Sequence, residues 1–87
     1  MPEFLLEFYV SRTDGAVVAR RAERARRVAA ESAREGTAVR YVRSIFVPED
    51  ETCFFLYEAD SIEAVSAAAL RAALPFERVA ELSEGER

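Results

Sequence analysis

The chain has 87 residues, of which 51% are hydrophobic and 32% are charged, and its formal net charge is -4. This composition excludes a disordered segment and predicts one domain with a thin core, because so short a chain buries only about 60 to 65% of its unfolded surface. The acidic balance argues against a nucleic-acid-binding protein, which needs a basic face. One cysteine and no apolar run of roughly 20 residues favour a soluble protein of the reducing cytoplasm with no membrane partner.

The first two predicted elements are a strand and a long helix. Residues 3–10 alternate so that one face of the strand is wholly apolar, while the other face is mixed. Residues 16–35 contain no Pro or Gly and repeat small apolar residues at helical spacing. Gly36 is predicted to end this helix.

The second half of the chain begins with a hairpin. Residues 38–58 contain two runs rich in β-branched and aromatic residues, separated by a proline and three acids. A second helix is predicted over 61–74, which Pro75 ends. A short last strand is predicted over 76–82, and a polar tail over 83–87.

The order β-α-β-β-α-β predicts a ferredoxin-like α+β fold in a single domain over residues 1–82. Right-handed crossovers place both helices on one face of a four-stranded antiparallel sheet, with the first and third strands central. The other face is left uncovered and carries apolar residues. Since such a patch usually marks an interface, we expect a homodimer in which two sheets face one another.

A candidate ligand site follows from strand parity on the uncovered face. If the apolar face of the first strand packs against the helices, its alternate positions point away, and we expect alternate hairpin positions to join them unless a bulge reverses the parity. One acid, one guanidinium, three phenols and a thiol over an apolar floor suit a small-molecule pocket. The alternative is a packed dimer contact in which the acid and the guanidinium form a cross-strand pair. The predicted ligand-binding residues are Glu7, Tyr9, Tyr41, Arg43, Cys53 and Tyr57.

Catalytic and metal chemistry have few candidates in this chain. The sequence has no histidine, so a Cys–His mechanism is excluded, and Cys53 is either a small buried hydrophobe or a thiol whose pKa Arg43 lowers. A metal ion could be bound only by carboxylates, with or without the thiolate. The sequence also contains no phosphate-binding loop and no paired-cysteine metal motif. We therefore predict no cofactor and no metal site, while whether the protein is an enzyme stays open.

The hairpin and the last strand carry a family resemblance. The sequence YVRSIFVPEDETCFFLYEAD, a second helix and LPFERVAEL resemble a family of small bacterial domains of unknown function related to a nickel-binding protein. The resemblance covers almost the whole chain and implies a ferredoxin-like fold that forms a dimeric α+β barrel. The resemblance does not extend to metal binding, because many of the relatives carry histidine where this chain has Arg43 and near Ala68, and a guanidinium cannot replace an imidazole ligand.

These observations lead to one functional hypothesis and two alternatives. The first is a homodimer that binds a small anionic or carbonyl-containing molecule between facing sheets, with Arg43 orienting it and the tyrosines packing round it. The second is a cofactor-independent isomerase, cyclase or monooxygenase of the dimeric α+β barrel type, with Glu7 as the base. The third, implied by the resemblance, is binding of nickel or another divalent metal.

Overall fold

The fold follows the predicted order of elements. The structure is a computed structural model that describes residues 1–83. Its elements are β1 (Glu3–Tyr9), α1 (Gly15–Arg34), β2 (Val39–Val47), β3 (Thr52–Ala59), α2 (Ile62–Arg71) and β4 (Arg78–Glu81), with a single 3-10 turn, Pro48–Asp50, between β2 and β3. The single domain over residues 1–82 stays a prediction, and the predicted tail, apart from Ser83, lies outside the described residues.

The four strands form one antiparallel sheet. Their spatial order is β2-β3-β1-β4, so β1 and β3 are central as predicted. Phe4, Leu6 and Phe8 of β1 are buried in the same core as the apolar residues of α1 and α2. Both helices therefore cover one face of the sheet, and the elements described leave the opposite face uncovered.

Aromatic rings fill the centre of the core between the sheet and the helices. Phe55 makes edge-to-face contacts with Phe8, at 4.9 Å between ring centroids, and with Tyr41, at 5.3 Å. Tyr57 packs edge-to-face on Tyr41 at 5.8 Å. Each such pair adds about 0.5 to 1.5 kcal/mol beyond the area it buries, so this cluster fixes the hairpin against β1.

The helix ends are set by local chemistry. Gly36 has a φ of +99°, and the N–H of Thr37 donates to the carbonyl of Ser32 at 2.9 Å, so Gly36 ends α1 as predicted. Ser61 caps the start of α2, where its hydroxyl accepts the N–H of Ala64 at 3.2 Å. Asp14 occupies the same position before α1 without a side-chain capping bond.

The second helix is shorter than predicted. The helix ends at Arg71, and Ala73 takes a φ of +56°. The chain therefore leaves the helix before Pro75, and the proline does not itself end it. The side chain of Arg24 on α1 donates to the carbonyl of Ala72, which caps the end of α2, and to the carbonyl of Ala73, which follows it. The last strand is also shorter, since β4 covers only Arg78–Glu81.

The two helices are joined by an ion-pair cluster on Arg71. Its guanidinium donates to both carboxylate oxygens of Glu35, at 2.8 and 3.1 Å, and to the hydroxyl of Ser32 at 3.3 Å. Arg71 lowers the pKa of Glu35 through this hydrogen bond and its charge.

None of the helices within residues 1–83 has the length and apolar character needed to cross a membrane.

Candidate functional site

A bulge in β2 decides which residues reach the uncovered face. Tyr41 lies opposite Tyr57, but Arg43 lies opposite Leu56, so Val42 is an extra residue in the ladder. Residues after the bulge therefore have the opposite parity to those before it. Tyr41 points into the core, whereas Arg43 points to the uncovered face.

Three of the six predicted site residues are not on that face. Tyr41, Cys53 and Tyr57 are 7%, 0% and 0% exposed and belong to the core beneath the helices. The strand register explains where the two β3 residues point. Cys53 lies opposite Phe8 and Tyr57 lies opposite Phe4, so Cys53 and Tyr57 face the same buried side of the sheet as these residues of β1. The prediction that all six residues line one surface was wrong.

Glu7, Tyr9 and Arg43 do lie on the uncovered face. Glu7 forms an ion pair with Arg78 of β4, at 3.2 Å between Oε1 and Nε. Within one chain Glu7 does not pair with Arg43, because β3 separates the two strands that carry them. A pair between these residues across a dimer contact stays a prediction. Tyr9 is 58% exposed, and its hydroxyl donates to Glu51 at 3.5 Å.

Arg43 is the one predicted site residue with an unmatched charge. Its side chain is exposed, and within residues 1–83 no ion pair and no side-chain hydrogen bond involves it. Leu56 lies beside it on β3, and Ile45 follows it on the same face of β2. Among the residues that the structure describes, this permanent cation thus stands on an apolar surface with its N–H donors unpaired.

The floor of the uncovered face is made of partly buried aliphatic and aromatic side chains. They alternate with the core residues along the central strands, and sequence reasoning placed only some of them here. The alternation along β3 could have identified the other floor residues. Residues 52, 54, 56 and 58 include Thr and Glu, whereas residues 53, 55, 57 and 59 are all suited to burial. The floor residues that face the same way as Glu7 and Arg43 are Leu5, Ile45, Phe54 and Leu56.

The thiol of Cys53 is held in its neutral form. Burial raises its pKa from an ordinary value of 9.0 to about 11, and the nearby guanidinium of Arg21 opposes this only in part. Arg21 itself lies over the ring of Phe8, at 5.3 Å from the ring centroid. Because Arg43 is on the other side of the sheet, the hypothesis that it lowers the pKa of this thiol was wrong.

Tyr57 carries a buried hydroxyl that has no hydrogen-bond partner in the described residues. Burial raises the pKa of Tyr57, and the neighbouring Tyr41 adds to the effect. The pKa of Tyr41 is raised by the same loss of solvent. Both phenols are therefore neutral parts of the core.

The described residues do not fit a divalent metal of the nickel class. No three side chains of the His, Cys, Asp and Glu types come together within residues 1–83, and the sequence contains no histidine. Cys53 is a neutral buried thiol rather than the thiolate that binds metals.

The sheet order and the two helices on one face define a protein of the ferredoxin-like α+β fold. The profile of the family described as "Nickel responsive protein SCO4226-like" matches residues 8–82. The chain therefore belongs to the SCO4226-like family, and the resemblance predicted from the sequence is confirmed.

One solved structure shows the same fold. The crystal structure of SCO4226 from Streptomyces coelicolor A3(2) superimposes with a TM-score of 0.74 and 15% sequence identity, covering 97% of this chain and 99% of that chain. A search of curated protein sequences gave no significant match. At this identity the structural likeness establishes the fold, and the chemistry must be argued from the residues of this chain.

Proposed function

We propose that this protein is a homodimer whose uncovered sheet faces pack together and enclose a small organic anion bound by Arg43. The observation that carries the proposal is the unmatched guanidinium of Arg43 on an uncovered apolar surface. The anion is a carboxylate, because its two oxygens accept two parallel hydrogen bonds from a guanidinium. Glu7 and Arg78 neutralise each other and frame the site.

The second copy is supported by the composition of the uncovered face. Four partly buried apolar side chains lie together there, namely Leu5, Ile45, Phe54 and Leu56, and such a patch typically marks an interface. The chain is also short, so it gains more than a larger domain would from burying a further face. These features support a pairing of sheets.

Arg43 sets a condition on this dimer. When the sheets meet, the guanidinium loses water, and a charge buried without a partner costs several kcal/mol. An acceptor must therefore enter with it, either a ligand or a carboxylate of the second copy. We favour the ligand because Glu7, the acid at the middle of this face in each copy, is already engaged with Arg78.

The dimer is tested with one substitution and a matched control. Leu56→Arg places a second guanidinium opposite Arg43 and should give a monomer in light scattering. Leu70→Arg makes the same change on α2, where Leu70 is 69% exposed and away from the sheet, and should leave the dimer intact. Equal masses for the two variants would contradict the proposed interface.

The ligand site is tested by thermal-shift titration with small carboxylates such as benzoate and pyruvate. We expect stabilisation of the unaltered protein, its loss in Arg43→Gln, and its retention in Arg27→Gln, which removes a charge from the exposed side of α1. If Arg43→Gln dissociates the dimer instead, the acceptor of Arg43 belongs to the second copy. If both variants respond like the unaltered protein, Arg43 binds none of these anions.

A further inference from the structure

An aliphatic line crosses the uncovered face of the sheet, starting at Arg43. Arg43 on β2 lies opposite Leu56 on β3, and Leu56 lies opposite Leu5 on β1. Ala80 of β4 continues the line beyond Leu5. Because neighbouring strands are about 4.8 Å apart, the line from β2 to β1 is about 10 Å long. A guanidinium therefore stands at one end of an apolar surface long enough for the body of a small molecule.

The β1 end of this line has the opposite charge. Glu3 and Glu7 are the residues two before and two after Leu5, so all three point to the uncovered face, and each acid is about 7 Å along the strand from Leu5. Glu7 is paired with Arg78, whereas Glu3 is exposed and takes part in no ion pair within residues 1–83. The line thus runs from an unmatched cation to an unmatched anion.

The other cations of this face are already engaged. Arg40 contacts Glu58 at 2.7 Å, and Arg78 contacts Glu7 at 3.2 Å. A second carboxylate on a ligand held by Arg43 would therefore meet no unmatched guanidinium among the described residues of the same copy. At the β1 end it would lie beside Glu3, and like charges repel most strongly where water is excluded.

We propose that the ligand of the sheet face is a monocarboxylate with an apolar body, an inference that rests on the function proposed above. Its carboxylate binds Arg43, and its body lies across Leu56 and Leu5. A small hydrophilic anion would leave the aliphatic line in contact with water, and a dicarboxylate would bring its second charge to Glu3. The two ends of the line therefore select one negative charge and an uncharged far end.

The test compares three probes by isothermal titration of the full chain. They are 4-methylbenzoate, terephthalate, which has nearly the same shape but a second carboxylate in place of the methyl group, and acetate, which lacks the body. We expect 4-methylbenzoate to bind at least about tenfold more tightly than acetate, because its ring covers apolar surface. It should also bind at least about tenfold more tightly than terephthalate, and Arg43→Gln should abolish its binding.

A substitution at Glu3 tests the charge of the far end separately. Glu3→Gln should strengthen terephthalate binding at least about threefold and change 4-methylbenzoate binding by less than about twofold. Glu63→Gln is the matched control, because it removes an exposed acid from α2, and it should change neither affinity. Light scattering should show that both variants keep the mass of the unaltered protein.

The outcomes separate this inference from the proposed function. If acetate binds as tightly as 4-methylbenzoate and both need Arg43, the Arg43 site stands and the apolar body is overturned. Terephthalate binding as tightly as 4-methylbenzoate would overturn the single charge, and so would a Glu3→Gln protein that loses its dimer, because Glu3 would then belong to the contact between copies. If none of the three anions binds, the ligand site itself fails and this inference fails with it.

Discussion

Tyr41 and Arg43 are two residues apart on one strand, yet they point to opposite faces of the sheet. A regular strand places residues i and i+2 on the same face, and the extra residue Val42 breaks this rule. The bulge keeps a phenol in the core beside Phe55 and Tyr57, and it delivers a guanidinium to the uncovered face. The proposed anion site depends on this reversal.

The buried hydroxyl of Tyr57 predicts a stabilising substitution. It has no partner in the described residues, and a buried polar group without a hydrogen bond costs about 1 to 3 kcal/mol. We expect Tyr57→Phe to raise the free energy of unfolding by about 1 kcal/mol in urea denaturation. Tyr9→Phe alters an exposed phenol and should change it by less than about 0.5 kcal/mol. A destabilised Tyr57→Phe protein would mean that the hydroxyl has an acceptor.

The capping bond of Ser61 predicts a loss of stability. Its hydroxyl accepts the N–H of Ala64, so Ser61→Ala should lower the free energy of unfolding by about 1 kcal/mol. Asp14 precedes α1 without such a bond, and Asp14→Ala should cost only a few tenths of a kcal/mol. Chemical denaturation of the two variants compares them directly, and equal losses would contradict the difference in capping.

The thiol of Cys53 predicts low reactivity and alkaline sensitivity. A pKa of about 11 instead of 9.0 lowers the thiolate fraction at pH 8 about a hundredfold, so a disulfide reagent should modify the native protein at least about a hundredfold more slowly than the unfolded chain. The pKa is higher in the folded state, so this contribution to stability is complete below pH 9 and is lost as the pH rises to about 11. Cys53→Ala should lose less stability over that interval. Rapid native modification at pH 8 would contradict the burial of the thiol.

The donor set predicts weak nickel binding by this member of the family. Isothermal titration of the untagged protein with Ni²⁺ should give no stoichiometric binding that survives competition with a moderate chelator such as glycine. The physical reason is that the sequence lacks imidazole and that its single thiol is neutral and buried. Tight binding of one ion per chain would show that exposed carboxylates assemble a site on dimerisation.

The fold could be predicted from the sequence because its signals are local. Hydrophobic alternation located β1, the run without Pro or Gly located α1, and Gly36 marked its end. The order of elements and the handedness of crossovers then restricted the sheet to one arrangement. The end of α2 was predicted too late because Ala73 adopts a left-handed conformation that alanine rarely takes.

The candidate site was harder to predict because it depends on register. A shift of one residue exchanges the faces of a whole strand, and both faces of β3 carry aromatic residues, so Cys53 and Tyr57 were assigned to the wrong side. Arg43 reached the predicted face only through the bulge at Val42, which no turn residue in the sequence marks. Arg78 was missed as the partner of Glu7 because the pairing joins β1 to a strand from the far end of the chain.

The pairing of two uncovered sheets is the central claim, and the mass of the protein in dilute solution tests it most directly. Light scattering during gel filtration should give twice the chain mass of 9.7 kDa, and the mass should persist on dilution to low micromolar concentration. A mass of one chain across that range would contradict the account, because Leu56 and its apolar neighbours would then face water and Arg43 would need no buried acceptor.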